Sequence, residues 1–178
     1  MLKKRNIKNE NGKEMKSAAI SIIFSERRDE VLLIKRRDIP VYVLPGGGIE
    51  SFETDEEAAI RETLEETGLN VKIIRKTGEY TPINRLSSKT HVYECQVIDG
   101  AFQNGDETKN IAFFPLDQLP LSFFIVHQYW LQDALKYNHV VKRPISEVTY
   151  FNLIKYFFKH PLLVFGALLA RIRLKFEK

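Results

Sequence analysis

The stretch that constrains this chain most is GGGIESFETDEEAAIRETLEETGL, residues 46–69. It carries seven glutamates, one aspartate and a single basic residue, Arg61. Like charges at helical spacing repel by roughly 0.2–0.5 kcal/mol per pair. The crowding occurs in a chain of formal net charge +4, so it asks for a local compensating charge. Thr54 with Glu57 three residues later is a capping-box signature. Ala58, Ala59, Ile60, Thr63 and Leu64 follow at helical spacing, and Gly68 stands where a left-handed residue closes a helix. The pattern predicts a helix over 54–67, entered from a glycine-rich loop.

Glu62, Glu65 and Glu66 then share one face, because their spacings are three and four. A Glu-rich helix is most often a solvated surface face. Clustered carboxylate oxygens are also ligands for a hard cation, Mg²⁺ or Mn²⁺. No Cys/His pair at zinc spacing accompanies them. Mg²⁺ usually keeps positions for substrate phosphate and water, which points to a phosphorylated substrate. Arg61 lies beside the stripe, where its planar fork can brace Glu53 or Glu65 or meet phosphate. Gly46, Gly47 and Gly48 allow close backbone approach to metal or substrate, and a carbonyl there can complete a coordination shell.

Around this stretch the chain divides by charge. Residues 1–16 hold six basic and two acidic residues, net +4; 17–138 hold 13 and 19, net −6; 139–178 hold eight and two, net +6. The basic balance belongs to the ends, so the body does not read as a nucleic-acid binder, and no stable nucleic-acid partner is expected. We expect a basic flexible segment at 1–16, a catalytic domain at 17–138 and a helical extension at 139–178. The first 16 residues lack the apolar core of a signal peptide. Cys95 is the only cysteine; it sits in the alternating run HVYECQV and reads as a buried structural thiol in a chain suited to the cytoplasm. His91, His127, His139 and His160 show no ligand spacing and read as structural or surface residues.

Strands are expected at 16–24 and 31–37, joined by the polar turn SERRDE as a hairpin. Others are expected at 41–48, from residue 70, at 91–98 and at 111–116. A second helix is expected over 121–138. A mixed sheet flanked by helices follows, with a long polar loop at 99–110.

The box itself fits the frame G-x5-E-x7-R-E-U-x-E-E-x-G-U, with Gly47, Glu53, Arg61, Glu62, Glu65, Glu66 and Gly68 at its fixed positions. At about 7% frequency per residue, a chance match of all seven is on the order of 10⁻⁸. This strongly resembles the Nudix hydrolases. The strand AAISIIF, the LPGGGIE entrance and the FFPLDQLP exit extend the resemblance over 17–138. It implies an α+β fold of the α/β/α sandwich type. It also implies metal-dependent hydrolysis, by water attack on phosphorus, of a diphosphate linkage in a nucleoside triphosphate, ADP-ribose, a dinucleoside polyphosphate or a nucleotide sugar. By the family pattern Glu65 and Glu66 are metal ligands, and Glu62 is a ligand or the general base. Arg61 orients the carboxylates, Glu53 supports it, and the Gly47 or Gly46 carbonyl can ligate. Gly48 joins them as a substrate-side backbone. Glu107, with Asp106 behind it, is the candidate for a further acidic ligand from outside the box, against a reading as a solvated loop residue. Phe52, Tyr80 and Phe114 are candidates for an aromatic substrate wall.

The sequence departs from the pattern twice: Thr63 replaces an aliphatic residue, and Phe52 stands where relatives often carry Gly. Two other functions compete. A non-catalytic nucleotide sensor would show an eroded box, and this one keeps every acidic position. An RNA 5′-end decapping hydrolase needs a basic path to the site, which the basic ends can supply. The tail 146–178 carries an apolar stripe, Phe158, Leu162, Phe165, Leu169, Ile172 and Phe176, flanked by basic residues. It reads as a helix packed on the core, a homodimer contact, or a basic amphipathic helix on an anionic membrane. Its run PLLVFGALLA is too short to span a bilayer.

Overall fold

The computed structural model describes residues 17–146, 148 and 149. The expectations for 1–16 and for 150–178 lie outside these residues. The strands are β1 (Ser17–Ile23), β2 (Glu30–Arg36), β3 (Tyr42–Val43), β4 (Gly46–Gly48), β5 (Leu69–Pro82), β6 (Lys89–Gly100), β7 (Thr108–Pro115) and β8 (Val141–Ile145). The helices are α1 (Asp55–Thr67) and α2 (Ile125–Lys136). One sheet runs β4-β1-β6-β5-β8 and the other β3-β2-β7. β1 pairs in parallel with β6, and β5 with β8; the other ladders are antiparallel.

The central residues of β1 (19–23) and β2 (31–34) are almost all apolar because both faces of each strand are buried there. Ile20 and Ile22 of β1, with Val31 and Leu33 of β2, enter a core with Trp130 and Leu131 of α2. Ala19 and Ile23, with Leu32 and Ile34, enter a second core with Ala58 and Ala59 of α1. The sheets therefore lie between the two helices, the α+β sandwich expected.

The expected β1–β2 hairpin does not form. β1 is flanked by β4 and β6, and β2 by β3 and β7, leaving only a Phe24–Val31 bridge between them. The SERRDE turn hands the chain from one sheet to the other. α2 also begins four residues later than its spacing predicts, because Tyr42 takes the Ser122 carbonyl and the Phe124 N–H in sheet-like bonds. Val141–Ile145, beyond the boundary drawn at residue 138, form an edge strand of the larger sheet.

Helix α1 is fixed at both ends. Thr54 accepts from the Glu57 N–H, and Glu57 accepts from the Thr54 N–H, completing the capping box. Asp55 accepts from Tyr93 at 2.6 Å and Lys76 at 2.9 Å. Burial pushes its carboxyl up, but those donors win and hold it at about 2. At the other end Gly68 takes φ 74°, and its N–H bonds to the Leu64 carbonyl. The loop 101–107 then donates Gln103 N–H to Thr67 O and Gly105 N–H to Glu66 O, satisfying carbonyls that a helix end leaves open. Cys95 is buried, with its thiol pushed up to about 11, as an inert structural residue should be.

The polar Thr63 is explained by β1. The Thr63 and Ser21 hydroxyls lie 2.8 Å apart, and both reach the Ala59 carbonyl. Thr63→Val is expected to cost about 1–2 kcal/mol, since it leaves Ser21 with a lost buried partner. Adding Ser21→Ala should cost less than the sum of the single changes. A double-mutant cycle by urea denaturation checks this; strict additivity would remove the hydroxyl pair as the reason for Thr63.

Candidate active site

Arg61 organises the site. Its Nε and Nη2 reach the two Glu53 oxygens at 3.0 and 2.7 Å. Nη1 reaches Glu62 at 3.1 Å and Glu65 at 3.2 Å, and Nη2 reaches the Gly48 carbonyl at 3.0 Å. This is the bidentate fork that lysine cannot provide. The guanidinium lowers the Glu53 carboxyl, helped by the Glu50 N–H, and is itself raised in turn.

Glu66 has no share in that guanidinium. It is 9% exposed, on the inner side of α1, and accepts from the Gly46 N–H at 2.8 Å. Burial pushes its carboxyl up to about 7 against that bond, and the Glu62 charge adds to the rise. Burial raises Glu62 as well, with Arg61 opposing. These two groups are strained as anions and gain from any nearby positive charge.

The β4 glycines make this arrangement possible. A Cβ on Gly47 would stand 2.5 Å from Glu62 Cδ, so the carboxylate lies where a side chain would be. Gly46 takes φ 144°, and a Cβ there would stand 2.3 Å from the Ala19 carbonyl of β1. An open cleft of about 840 Å³ runs between β4, α1 and the loop 101–107.

The structure brings together Gly46, Gly47, Gly48, Arg61, Glu62, Glu65, Glu66 and Glu107 along that cleft, with Glu53 behind Arg61. Glu107 faces it from the loop and pairs with Arg36 at 3.3 Å. Arg36 lines the cleft and is otherwise held by Asp38, with two bonds of 2.8 Å. Nothing in the box pattern marks Arg36; its only signal was a cation at the end of an apolar strand in an acidic body. The aromatic candidates are corrected. Tyr80 is buried in the α2 core, bonded to Asp133 and against Trp130. Phe114 packs against the same core and edge-on to Tyr42. Phe52 is exposed and does not line the cleft. His127 is likewise a core residue, accepting from the Leu44 N–H, its imidazole pushed down to about 3 by burial.

The donors suit a hard cation: carboxylate oxygens from α1 and carbonyls from β4. The Gly47 cradle and the buried, elevated Glu66 favour one there. Among the described residues, no three acidic, His or Cys side chains already gather as a closed metal cage. Arg61 stands between Glu62 and Glu65 and holds their oxygens. The set is an open one that leaves positions for oxygens of another molecule.

A model of the NUDIX domain matches residues 15–134. A putative 8-oxo-dGTP diphosphatase of Bacillus subtilis is 36% identical over 104 residues, 58% of this chain and 68% of that protein. An ADP-ribose pyrophosphatase of Methanocaldococcus jannaschii is 34% identical over 146 residues, 78% of this chain and 85% of that protein. The crystal structure of an ADP-ribose pyrophosphatase from Streptococcus suis matches at TM-score 0.60 and 26% identity, covering 72% of this chain and 98% of that one.

Phe52 takes φ 83° with its ring 78% exposed. A left-handed conformation costs a side-chain-bearing residue roughly 1–2 kcal/mol, which explains a preference for Gly there. Phe52→Gly is therefore expected to stabilise the fold by about 0.5–1 kcal/mol, net of the extra freedom of the unfolded chain. A urea midpoint that falls instead would show the ring making a contact that matters.

Proposed function

The chain belongs to the NUDIX domain family, and from that premise we propose that it hydrolyses a diphosphate linkage in a nucleoside diphosphate derivative, with Mg²⁺ or Mn²⁺ held on α1. Its relatives are named as a pyrophosphatase and a diphosphatase, so the class is hydrolase acting on acid anhydrides. The observation that carries the finer reading is the unequal sharing of Arg61: Glu53, Glu62 and Glu65 are braced, while Glu66 is buried with one N–H for company. The ADP-ribose pyrophosphatase aligns with more of the chain than the 8-oxo-dGTP diphosphatase does, so ADP-ribose heads the substrates to test.

Each residue takes a part. Glu65 and Glu66, with Glu62 where it is not the base, would supply carboxylate oxygens, and Gly47 or Gly46 a carbonyl, to hold the ion. A cation held there would neutralise phosphate oxygens and lower the pKa of a bound water. Arg61 fixes the carboxylates, and Glu53 fixes Arg61. Glu62 would serve either as a further ligand or as the base that takes a proton from the attacking water. Glu107 adds an acceptor from across the cleft. Arg36, which lines the cleft and is braced by Asp38, would meet a substrate phosphate as a donor.

Glu66→Gln is expected to lower ADP-ribose hydrolysis at least about 100-fold, the scale of losing one preorganised charged group. Its melting temperature without metal should equal or exceed that of the wild type, because a poorly solvated carboxylate is gone. Mg²⁺ or Mn²⁺ should raise the wild-type melting temperature and not the variant's. Retained activity, or an equal metal-induced shift in both, would refute the assignment. Arg36→Ala should raise KM roughly tenfold with kcat nearly kept, the mark of lost ground-state binding; an unchanged KM would take Arg36 out of substrate binding.

A further inference from the structure

The two helices differ on their outer faces. The exposed positions of α1 include Glu56, Glu57 and Glu65. Those of α2 include Ile125, Tyr129, Gln132 and Leu135, with Phe124 at its N-cap and Leu121 fully exposed just ahead. Ile125, Tyr129 and Gln132 follow spacings of four and three, so they share one side. A helix with apolar residues inside and outside is one that something covers.

The route of the chain says what covers it. β8 runs beside α2, with the Arg143 guanidinium 5.8 Å over the Tyr129 ring. Asn84 then donates to the Val148 carbonyl, and Val148 packs on the core holding Trp130 and Leu131. Residues 150–178 continue the chain from that point. Their sequence carries the apolar stripe Phe158, Leu162, Phe165 and Leu169, flanked by Lys155, Lys159, Arg171 and Arg173. The charge is complementary: 150–178 has six basic residues and one acidic, net +5, against net −6 for 17–138. α2 has 12 residues and is about 18 Å long, within reach of a segment of that length.

We propose that residues 150–178 dock on the outer face of α2 in their own chain, setting the Phe158–Leu169 stripe against Leu121, Ile125 and Tyr129. The contact leaves the α1 cleft open and completes the sandwich with a further layer.

The lone native cysteine, Cys95, is buried, so an introduced thiol reports alone. Ile125→Cys is placed in the full chain and labelled with a maleimide. It is then compared with the same chain carrying Leu162→Asp and Phe165→Asp, with circular dichroism and the urea midpoint as controls of folding. Labelling should be at least about tenfold slower with the native tail, which corresponds to about 1.4 kcal/mol of docking. Glu56→Cys on α1 should label at one rate in both backgrounds. A bismaleimide should link Ile125→Cys to Phe165→Cys within one chain, giving a monomer on a denaturing gel. Equal labelling rates overturn the proposal. Links found only between chains also overturn it, in favour of a second copy. Protection that appears only with phosphatidylglycerol vesicles overturns it in favour of a membrane surface.

Discussion

One guanidinium holds the acidic cluster of α1 and its entrance together. Glu53, Glu62, Glu65 and Glu66 bring four negative charges to one turn and a half of helix and its entrance. Arg61 returns one positive charge, delivered through a fork to three of those carboxylates and to the Gly48 carbonyl. The arrangement leaves three surplus charges, and they are not spread evenly. Glu65 is more than half exposed and shares its charge with solvent as well as with Arg61. Glu66 cannot, because it sits on the buried side of α1. Its anion is answered only by the Gly46 N–H and the more distant Arg36 charge, so a cation would be worth most beside it.

That geometry depends on parts far apart in sequence. The β1 ladder fixes β4, so its three glycines face the helix without side chains. The loop 101–107 caps α1 from outside, and in doing so presents Glu107 across the cleft. The same backbone bonds that end the helix thus build the opposite wall of the site. Asp55, tied to Tyr93 and Lys76, fixes the other end of the helix against β5 and β6. The acidic stripe is rigid because both helix ends are bonded to the sheet side of the fold.

The parts legible in the sequence are those governed by local rules. The capping box, the Gly68 closure and the acidic face of α1 all follow from spacings of three and four. The burial of β1 and β2 followed from their unbroken apolar runs. Their partners did not, because strands apolar on both faces carry no record of which edge pairs with which. Tyr80 and Phe114 were misplaced for a related reason: an aromatic beside a polar loop can face a cleft or a core, and α2 decides which. Arg36 went unnoticed because its role comes from Glu107, 71 positions away.

The two departures from the family pattern show how the motif divides its labour. Thr63 faces β1, so its constraint is packing; a hydroxyl is accepted there because Ser21 supplies a partner in the opposing strand. Phe52 sits in a turn, so its constraint is backbone conformation, and the chain bears a left-handed phenylalanine while keeping the next residue, Glu53, on Arg61. Neither change moves a carboxylate. The frame can therefore vary where it only shapes the scaffold. Arg61 bonds Glu62, and a Cβ on Gly47 would meet the Glu62 carboxylate, so a substitution at any of these three disturbs the others.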